Sequence, residues 1–133
     1  MRVLIADDND KIRSALSLAL MEVADQMTPP AVAGYRPPAT TCIILEARDA
    51  DELLSHLGGE TLDVMLLDWE LPGFKGPLYL PLINAQMPGC KVIAMSGRPE
   101  ARERSLQLGV RHFVGRNDPT PRLMQLLREL WTQ

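Results

Sequence analysis

Residues 62–76 read Leu-Asp-Val-Met-Leu-Leu-Asp-Trp-Glu-Leu-Pro-Gly-Phe-Lys-Gly, and this stretch indicates how the chain folds. Residues 62–67 form a nearly continuous apolar run, which is typical of a strand in a parallel sheet that helices cover on both faces. The Pro- and Gly-rich residues 71–76 then predict a loop. An acid, Asp68, stands where the strand gives way to that loop.

The same alternation of a strand-like run and a helical pattern occurs five times. Apolar runs cover residues 2–6, 41–45, 62–67, 91–95 and 110–114. Helical spacing of apolar residues follows each run, over about 11–25, from 49 or 51 to 57, over 77–86, over 99–109, and from 119 or 121 to 130. Regular alternation of this kind predicts an α/β fold with a parallel sheet and right-handed crossovers.

Length and composition limit the class of protein. The chain has 133 residues, which is the size of one domain, and 46% of them are hydrophobic. A formal net charge of -3 argues against binding to duplex nucleic acid, which needs clustered positive charge. No apolar run approaches the roughly 20 residues that a membrane span needs. The two cysteines, Cys42 and Cys90, form no Cys-x-x-Cys pair, and we expect a reduced, cytoplasmic protein.

One segment, residues 27–40, does not fit the strand–helix alternation. It contains two Pro-Pro pairs and is much longer than the roughly 2–6 residues usual between a helix and a strand. We predict a single domain over 1–133 with an extended, Pro-rich surface insertion here. A tolerated insertion is the preferred interpretation, and a binding loop is the alternative.

Acidic residues stand at the carboxyl ends of two predicted strands. Asp7 and Asp8 follow the first strand, and Asp68 follows the third. Ligands of open parallel sheets bind beyond these strand ends. Three carboxylates in one small space need a hard cation, and Mg²⁺ prefers oxygen ligands. For Asp7 or Asp8 alone, capping of the first helix is the simpler interpretation, whereas all three together favour a metal site.

A carboxylate at such a site can also act as a nucleophile and form an aspartyl phosphate. Mg²⁺ would offset the charge of the carboxylate and of the incoming phosphoryl group. The hydroxyl of Ser96, after the fourth strand, and the cation of Arg116, after the fifth, could hold phosphoryl oxygens.

Four pieces of the sequence together resemble the receiver domain of bacterial two-component response regulators. They are residues 3–9, 66–76, 92–97 and 109–114, and they include the pattern Asp-x-x-Leu-Pro-Gly-x-x-Gly at 68–76. The resemblance covers essentially the whole chain apart from 27–40. It implies a flavodoxin-like, doubly wound, five-stranded parallel sheet of order 2-1-3-4-5 with five helices.

The resemblance also implies roles for the acids. Asp68 is similar to the phosphoacceptor, to which a sensor histidine kinase or a phosphotransfer protein would transfer a phosphoryl group. Asp8, Asp68 and the backbone carbonyl of Glu70 would hold Mg²⁺, and Asp7 would contribute through water or through the site cation. The domain would catalyse only its own phosphorylation and dephosphorylation, so we do not expect an ordinary enzyme.

The switch residues follow from the same resemblance. Ser96 matches the hydroxyl that contacts the phosphoryl group, and Phe113 matches the aromatic ring that moves inward when the hydroxyl is engaged. Contacts with a downstream protein or output domain would lie on the fourth helix, fifth strand and fifth helix, at about 99–108, 110–114 and 121–130. A homodimer is a further expected partner, and the sequence leaves the oligomeric state and the dimer face open.

The chain departs from the family at one place. Lys-Pro, joined by a cis peptide, usually follows the fifth strand, and here the same position holds Arg116-Asn117. Because cis peptides are essentially a property of proline, we expect a trans peptide and a different loop path. Arginine is longer than lysine and planar, although it can still reach a phosphoryl oxygen. We therefore expect phosphorylation to occur and its conformational coupling to be altered.

Two further charges, Glu70 and Arg98, lie two residues past the phosphoacceptor and two past Ser96. These family positions lie near the path of the hydrolytic water. A Glu70–Arg98 pair could slow hydrolysis of the acyl phosphate, and two separate solvated charges are the alternative.

Two other functions compete with the signalling switch. A degenerate receiver would bind a protein without being phosphorylated, which Arg116-Asn117 favours and intact Asp8, Asp68 and Ser96 oppose. An aspartate-nucleophile phosphatase would need a second aspartate two residues after the nucleophile, where this chain has Glu70. Whether the receiver acts alone or belongs to a longer regulator stays open.

Overall fold

The computed structural model describes residues 1–35, 41–116 and 121–132. Five strands alternate with five helices along the chain. The elements are β1 (Arg2–Ala6), α1 (Asp10–Met27), β2 (Ile43–Ala47), α2 (Ala50–Leu57), β3 (Val64–Asp68), α3 (Gly76–Gln86), β4 (Lys91–Met95), α4 (Pro99–Gln107), β5 (His112–Val114) and α5 (Pro121–Trp131). The predicted strand–helix alternation is confirmed.

The five strands form one parallel sheet in the order β2-β1-β3-β4-β5. This is the predicted order, and it places β1 and β3 side by side in the centre. Ala6 pairs with Leu67, and Asp68 pairs with Met95, so the carboxyl ends of β1, β3 and β4 meet at one edge.

Alternating residues of the central strands build a core on each face of the sheet, because successive side chains of a strand point to opposite faces. Val3 and Ile5 of β1 face α1 and α5, whereas Leu4 and Ala6 face the other side. All four are fully buried. Burial on both faces explains why the strands read as continuous apolar runs.

Three strands differ in their boundaries from the sequence prediction. β2 lies two residues later than predicted, and β3 covers Val64–Asp68 instead of 62–67. β5 starts at His112 instead of Val110, because the Val110 N–H donates to the Ser105 carbonyl at the end of α4. That bond and the positive φ of Gly109 (95°) hold residues 109–110 in the helix-ending turn.

The segment predicted as an insertion, residues 27–40, starts one residue later in the structure, because α1 includes Met27. Val32 and Tyr35 exchange two backbone hydrogen bonds of 2.9 Å around a tight turn. Both side chains are largely exposed, and residues 36–40 lie outside the described residues. Within the described residues, no helix combines the length and the apolar character needed to cross a membrane.

Candidate functional site

The three predicted acids lie together at the carboxyl edge of the sheet. One carboxylate oxygen from each of Asp7, Asp8 and Asp68 lies within 4.8 Å of the others. The Asp7 and Asp68 side chains are 0% exposed, and that of Asp8 is 48% exposed. The structure therefore brings these predicted site residues into one cluster that is buried on the sheet side and open towards Asp8.

Local backbone hydrogen bonds orient the two buried carboxylates in the same way. The Asn9 N–H donates to Oδ1 of Asp7 at 2.8 Å, and the Glu70 N–H donates to Oδ1 of Asp68 at 2.9 Å. This is the Asx-turn geometry that aspartate favours just after a strand. The bond to Asp68 uses only Oδ1, and Oδ2 is buried without a hydrogen-bond partner.

A buried arginine of α1, which the sequence analysis missed, steadies the loop that carries Asp7 and Asp8. Arg13 is 8% exposed and donates from Nη1 to the backbone carbonyl of Asp7 at 2.8 Å. Its guanidinium also pairs with Asp10 and, at 3.4 Å, with Glu46. The sequence does hold a signal for this role, because Arg13 falls on the otherwise apolar face of α1 and a buried charge needs a partner.

The guanidinium of Arg116 lies over the acidic cluster. Its Nη2 atom lies 2.9 Å from Oδ1 of Asp7, 3.0 Å from Oδ1 of Asp8 and 3.3 Å from Oδ2 of Asp68. Nε donates a further bond of 3.3 Å to Oδ2 of Asp7. The contact with Asp68 is an ion pair without hydrogen-bond geometry. Hydrogen bonding to Asp7 raises the pKa of Arg116 above its ordinary value.

Burial raises the pKa of Asp68 from 3.8 to about 6, and the negative charge of Asp7 adds to this effect. The Glu70 N–H and the Arg116 cation act in the opposite direction and favour the ionised form. Asp68 is therefore ionised at neutral pH, although burial and the Asp7 charge disfavour its ionised form. A carboxylate whose pKa is raised by burial is typical of functional sites.

The hydroxyl of Ser96 is held by two partners. Ser96 is 3% exposed, donates from Oγ to Oε1 of Glu70 at 2.6 Å, and accepts the Arg98 N–H at 2.9 Å. The Glu70 carboxylate binds Ser96, and no Glu70–Arg98 ion pair occurs among the described residues, so the expected effect of the two residues on hydrolysis stays a prediction. Both residues still line a shallow cavity of about 290 Å³ beside Trp69.

The aromatic residue of the predicted switch, Phe113, is half-buried in β5 and packs against the core on the side of α2 and α3. It also lines a cavity of about 280 Å³ between α4 and α5. The Ser96 N–H donates to the Val114 carbonyl at 3.3 Å, so the Ser96 loop is bonded to the strand that carries Phe113. Asn117 lies outside the described residues, and the trans peptide expected there stays a prediction.

The donor set fits Mg²⁺. All candidate ligands are oxygen atoms, which this hard cation prefers. Oδ2 of Asp68 is buried and lacks a hydrogen bond, so its lone pairs are available to a cation or a reacting group. The site therefore offers oxygen ligands of the kind that a divalent cation takes, beside the Ser96 hydroxyl.

Comparisons with known proteins agree with this geometry. The sequence model described as the response regulator receiver domain matches residues 38–128. No curated protein sequence matches the chain.

Several solved structures share the fold. The signal receiver domain of a DNA binding response regulator from Colwellia psychrerythraea has a TM-score of 0.79 at 20% identity, covering 100% of this chain and 99% of that one. TrrA from Thermotoga maritima in complex with Mg(2+)-BeF has a TM-score of 0.72 at 21% identity, covering 97% of each chain. Full-length FixJ from B. japonicum has a TM-score of 0.74 at 19% identity, covering 99% of this chain and 58% of that one.

Proposed function

This chain belongs to the response regulator receiver domain family, and from that premise we propose that it is a cytoplasmic switch that accepts a phosphoryl group on Asp68 from a histidine kinase or a phosphotransfer protein. Receiver domains are signalling domains of two-component systems rather than ordinary enzymes. The observation that carries the proposal is the buried Asp68 carboxylate with its unbonded Oδ2, set in an acidic cluster beside the Ser96 hydroxyl.

The chemistry that we assign to Asp68 is a single transfer. Oδ2 attacks the phosphorus atom of a phosphohistidine, an O–P bond forms as the N–P bond breaks, and the leaving imidazole keeps the electron pair. The reaction needs the ionised carboxylate, and a pKa of about 6 leaves Asp68 ionised at neutral pH. The Glu70 N–H holds Oδ1 and so leaves Oδ2 as the reacting atom.

Asp8, Asp68 and the backbone carbonyl of Glu70 are the groups that we propose as Mg²⁺ ligands, with Asp7 acting through water or through the site cation. Bound Mg²⁺ would supply positive charge for the carboxylates and the phosphoryl oxygens. The acidity of the cluster supports this assignment, because three carboxylates lie within 4.8 Å and only Arg116 offsets them in the described part of the chain.

The switch that we propose is an exchange of partners at Ser96. In the resting state its hydroxyl donates to Glu70, and after phosphorylation it would donate to a phosphoryl oxygen instead. Because the Ser96 loop is bonded to Val114, its movement would pull on β5 and let Phe113 turn inward. The Glu70 carboxylate, once released, would stand at the mouth of the site beside Arg98 and could affect hydrolysis there.

The downstream partner would bind the face made by α4, β5 and α5. Arg102, Arg111 and Arg122 line its cavity of about 280 Å³, and no ion pair of these three occurs among the described residues. Leu106, 49% exposed, supplies an apolar contact in the same cavity. In a chain with a net charge of -3, unpaired arginines on one face favour a partner that presents acidic side chains.

The test is a covalent phosphorylation assay on the intact protein. Incubation with MgCl₂ and a small acyl-phosphate or phosphoramidate donor should add the mass of one phosphoryl group, and peptide mapping should place it on Asp68. Asp68→Asn should gain no mass, whereas the control Asp25→Asn, an exposed carboxylate of α1, should react like the unmodified protein. Mass gain by Asp68→Asn would exclude Asp68 as the acceptor.

The second candidate is a receiver that binds its partner without phosphorylation. The observation that favours it is the complete burial of Asp68 beneath Arg116. No mass gain with any donor, together with unchanged partner binding by Asp68→Asn, would support this alternative. A phosphatase is less favoured because Glu70, at the acid position of that family, is bonded to Ser96, and turnover of small phosphate esters would revive it.

A further inference from the structure

Arg116 holds the place in the acidic cluster where a metal ion would be expected. We propose that Arg116 is a tethered cation that closes the resting site, so that Mg²⁺ binds only when the guanidinium leaves Asp8 and Asp68, and that Arg116 thereby sets the metal affinity of this receiver. This inference rests on the proposed function, since it concerns the same metal site.

Accessibility is the first argument. Asp7 and Asp68 have no exposed side-chain surface, while Arg116 contacts both and is itself 28% exposed. Arg116 therefore lies between the buried carboxylates and solvent. An ion that approaches Oδ2 of Asp68 from the side of Arg116 meets the guanidinium first.

The contacts of a single nitrogen give the second argument. Nη2 of Arg116 is about equally far from one oxygen of each carboxylate, at 2.9, 3.0 and 3.3 Å. Two of the three carboxylates contacted by this nitrogen, those of Asp8 and Asp68, are proposed Mg²⁺ ligands. Mg²⁺ would take oxygens at about 2.0–2.1 Å, and it would have to enter the space that this nitrogen occupies.

The strength of the contacts indicates how the guanidinium would leave. Asp7 receives two hydrogen bonds, from Nε and Nη2, whereas the contact with Asp68 lacks hydrogen-bond geometry and Asp8 is exposed to competing water. The Asp8 and Asp68 contacts are therefore the weaker ones. When Nη2 leaves Asp8 and Asp68 it also leaves Oδ1 of Asp7, and the Nε bond to Oδ2 of Asp7 would keep Arg116 beside the site.

Side-chain length makes the effect specific to arginine. A lysine at the same position is one atom shorter, so its ammonium would lie near the present Cζ of Arg116 and would be withdrawn from Asp8 and Asp68. The lysines at 11, 75 and 91 make no ion pair with this cluster in the described part of the chain. Arg116 is thus the cation that competes with the metal there.

The experiment is calorimetric titration of the whole protein with MgCl₂, without a phosphodonor, and a parallel titration read by Trp69 fluorescence. Arg116→Ala should bind Mg²⁺ roughly tenfold more tightly than the unmodified protein, the scale of a charge-assisted hydrogen bond. Arg116→Lys should also bind more tightly, although its formal charge is unchanged. Millimolar guanidinium chloride should weaken Mg²⁺ binding to Arg116→Ala more than NaCl of equal ionic strength does.

The outcomes separate this inference from the proposed function. Equal Mg²⁺ affinity of the unmodified protein and Arg116→Ala, or weaker binding by the variant, would overturn the inference and leave the metal site intact. Equal Mg²⁺ affinity of Arg116→Lys and the unmodified protein would show that the positive charge at position 116 matters and the arginine side chain does not. That result would also overturn the inference. Absence of Mg²⁺ binding by all three folded proteins would refute the metal site itself, and the inference with it.

Discussion

Asp68 should destabilise the resting protein at neutral pH, and its replacement by asparagine should therefore stabilise the fold when no Mg²⁺ is present. Burial raises the pKa of this carboxyl from 3.8 to about 6. Because one pKa unit corresponds to 1.36 kcal/mol, keeping Asp68 ionised at pH 7 lowers the free energy of unfolding by roughly 3 kcal/mol. Asparagine has nearly the same shape, keeps an acceptor for the Glu70 N–H, and carries no charge.

The raised pKa of Asp68 also fixes the direction in which the free energy of unfolding changes with pH. An acid with a raised pKa in the folded state binds its proton more tightly there than in the unfolded chain, so stability falls as pH rises from about 4 to about 6. The advantage of Asp68→Asn over the unmodified protein should therefore be largest above pH 7, at about 2–3 kcal/mol, and most of it should be lost near pH 4.5.

Urea unfolding followed by circular dichroism measures this directly. Slopes of about 1–3 kcal/mol per molar urea convert the expected difference into a midpoint shift on the order of 1 M at pH 7.5. Asp25→Asn, which removes an exposed carboxylate of α1, should leave the midpoint nearly unchanged at both pH values. A midpoint of Asp68→Asn at or below that of the unmodified protein at pH 7.5 would refute the reasoning, as would a gain that does not shrink in acid.

Three other changes test the site and its surroundings. Glu70→Ala removes the acceptor of the Ser96 hydroxyl, so beryllofluoride, a phosphoryl mimic, should bind three- to tenfold more tightly in a fluorescence titration with Mg²⁺, and Glu70→Gln should lie between. Gly76→Ala places a Cβ 2.9 Å from Cζ2 of Trp69 and should cost about 1–3 kcal/mol in a thermal melt. Burial raises the pKa of Cys90 to about 12, so iodoacetamide at pH 8 should modify it only after unfolding in urea; rapid modification of the folded protein would contradict this.

The local signals in the sequence were enough to predict the fold. Asn9 caps α1 by accepting the Ile12 N–H, and Asp49 caps α2 by accepting the Glu52 N–H, and both residue types are favoured at helix N-caps. The start of β5 was not predictable in this way. Val110 is as apolar as a strand residue should be, but its N–H is already bonded to α4, and only the tertiary arrangement shows this.

The gathering of acids was predictable because strand ends of a parallel sheet share one edge, whereas the contacts of the surrounding charges were not. Glu70 follows β3 and Ser96 follows β4, and nothing in their spacing says that the two side chains meet at 2.6 Å. The reach of Arg116 to all three carboxylates likewise depends on the loop after β5. Contacts between loops depend on ångström-scale placement that a sequence pattern does not encode.

In the resting site, side chains of the same chain make the contacts that Mg²⁺ and a phosphoryl oxygen would make after phosphorylation. Arg116 offsets the charge that Mg²⁺ would offset, and Glu70 accepts the hydrogen bond that a phosphoryl oxygen would accept. Phosphorylation would then exchange one partner for another at each of these groups. A two-state equilibrium of that kind is readily shifted by one ligand that binds the two states unequally. Two of the four buried polar atoms that lack a hydrogen bond among the described residues, Oδ2 of Asp68 and Oε2 of Glu70, lie at groups where the exchange would occur.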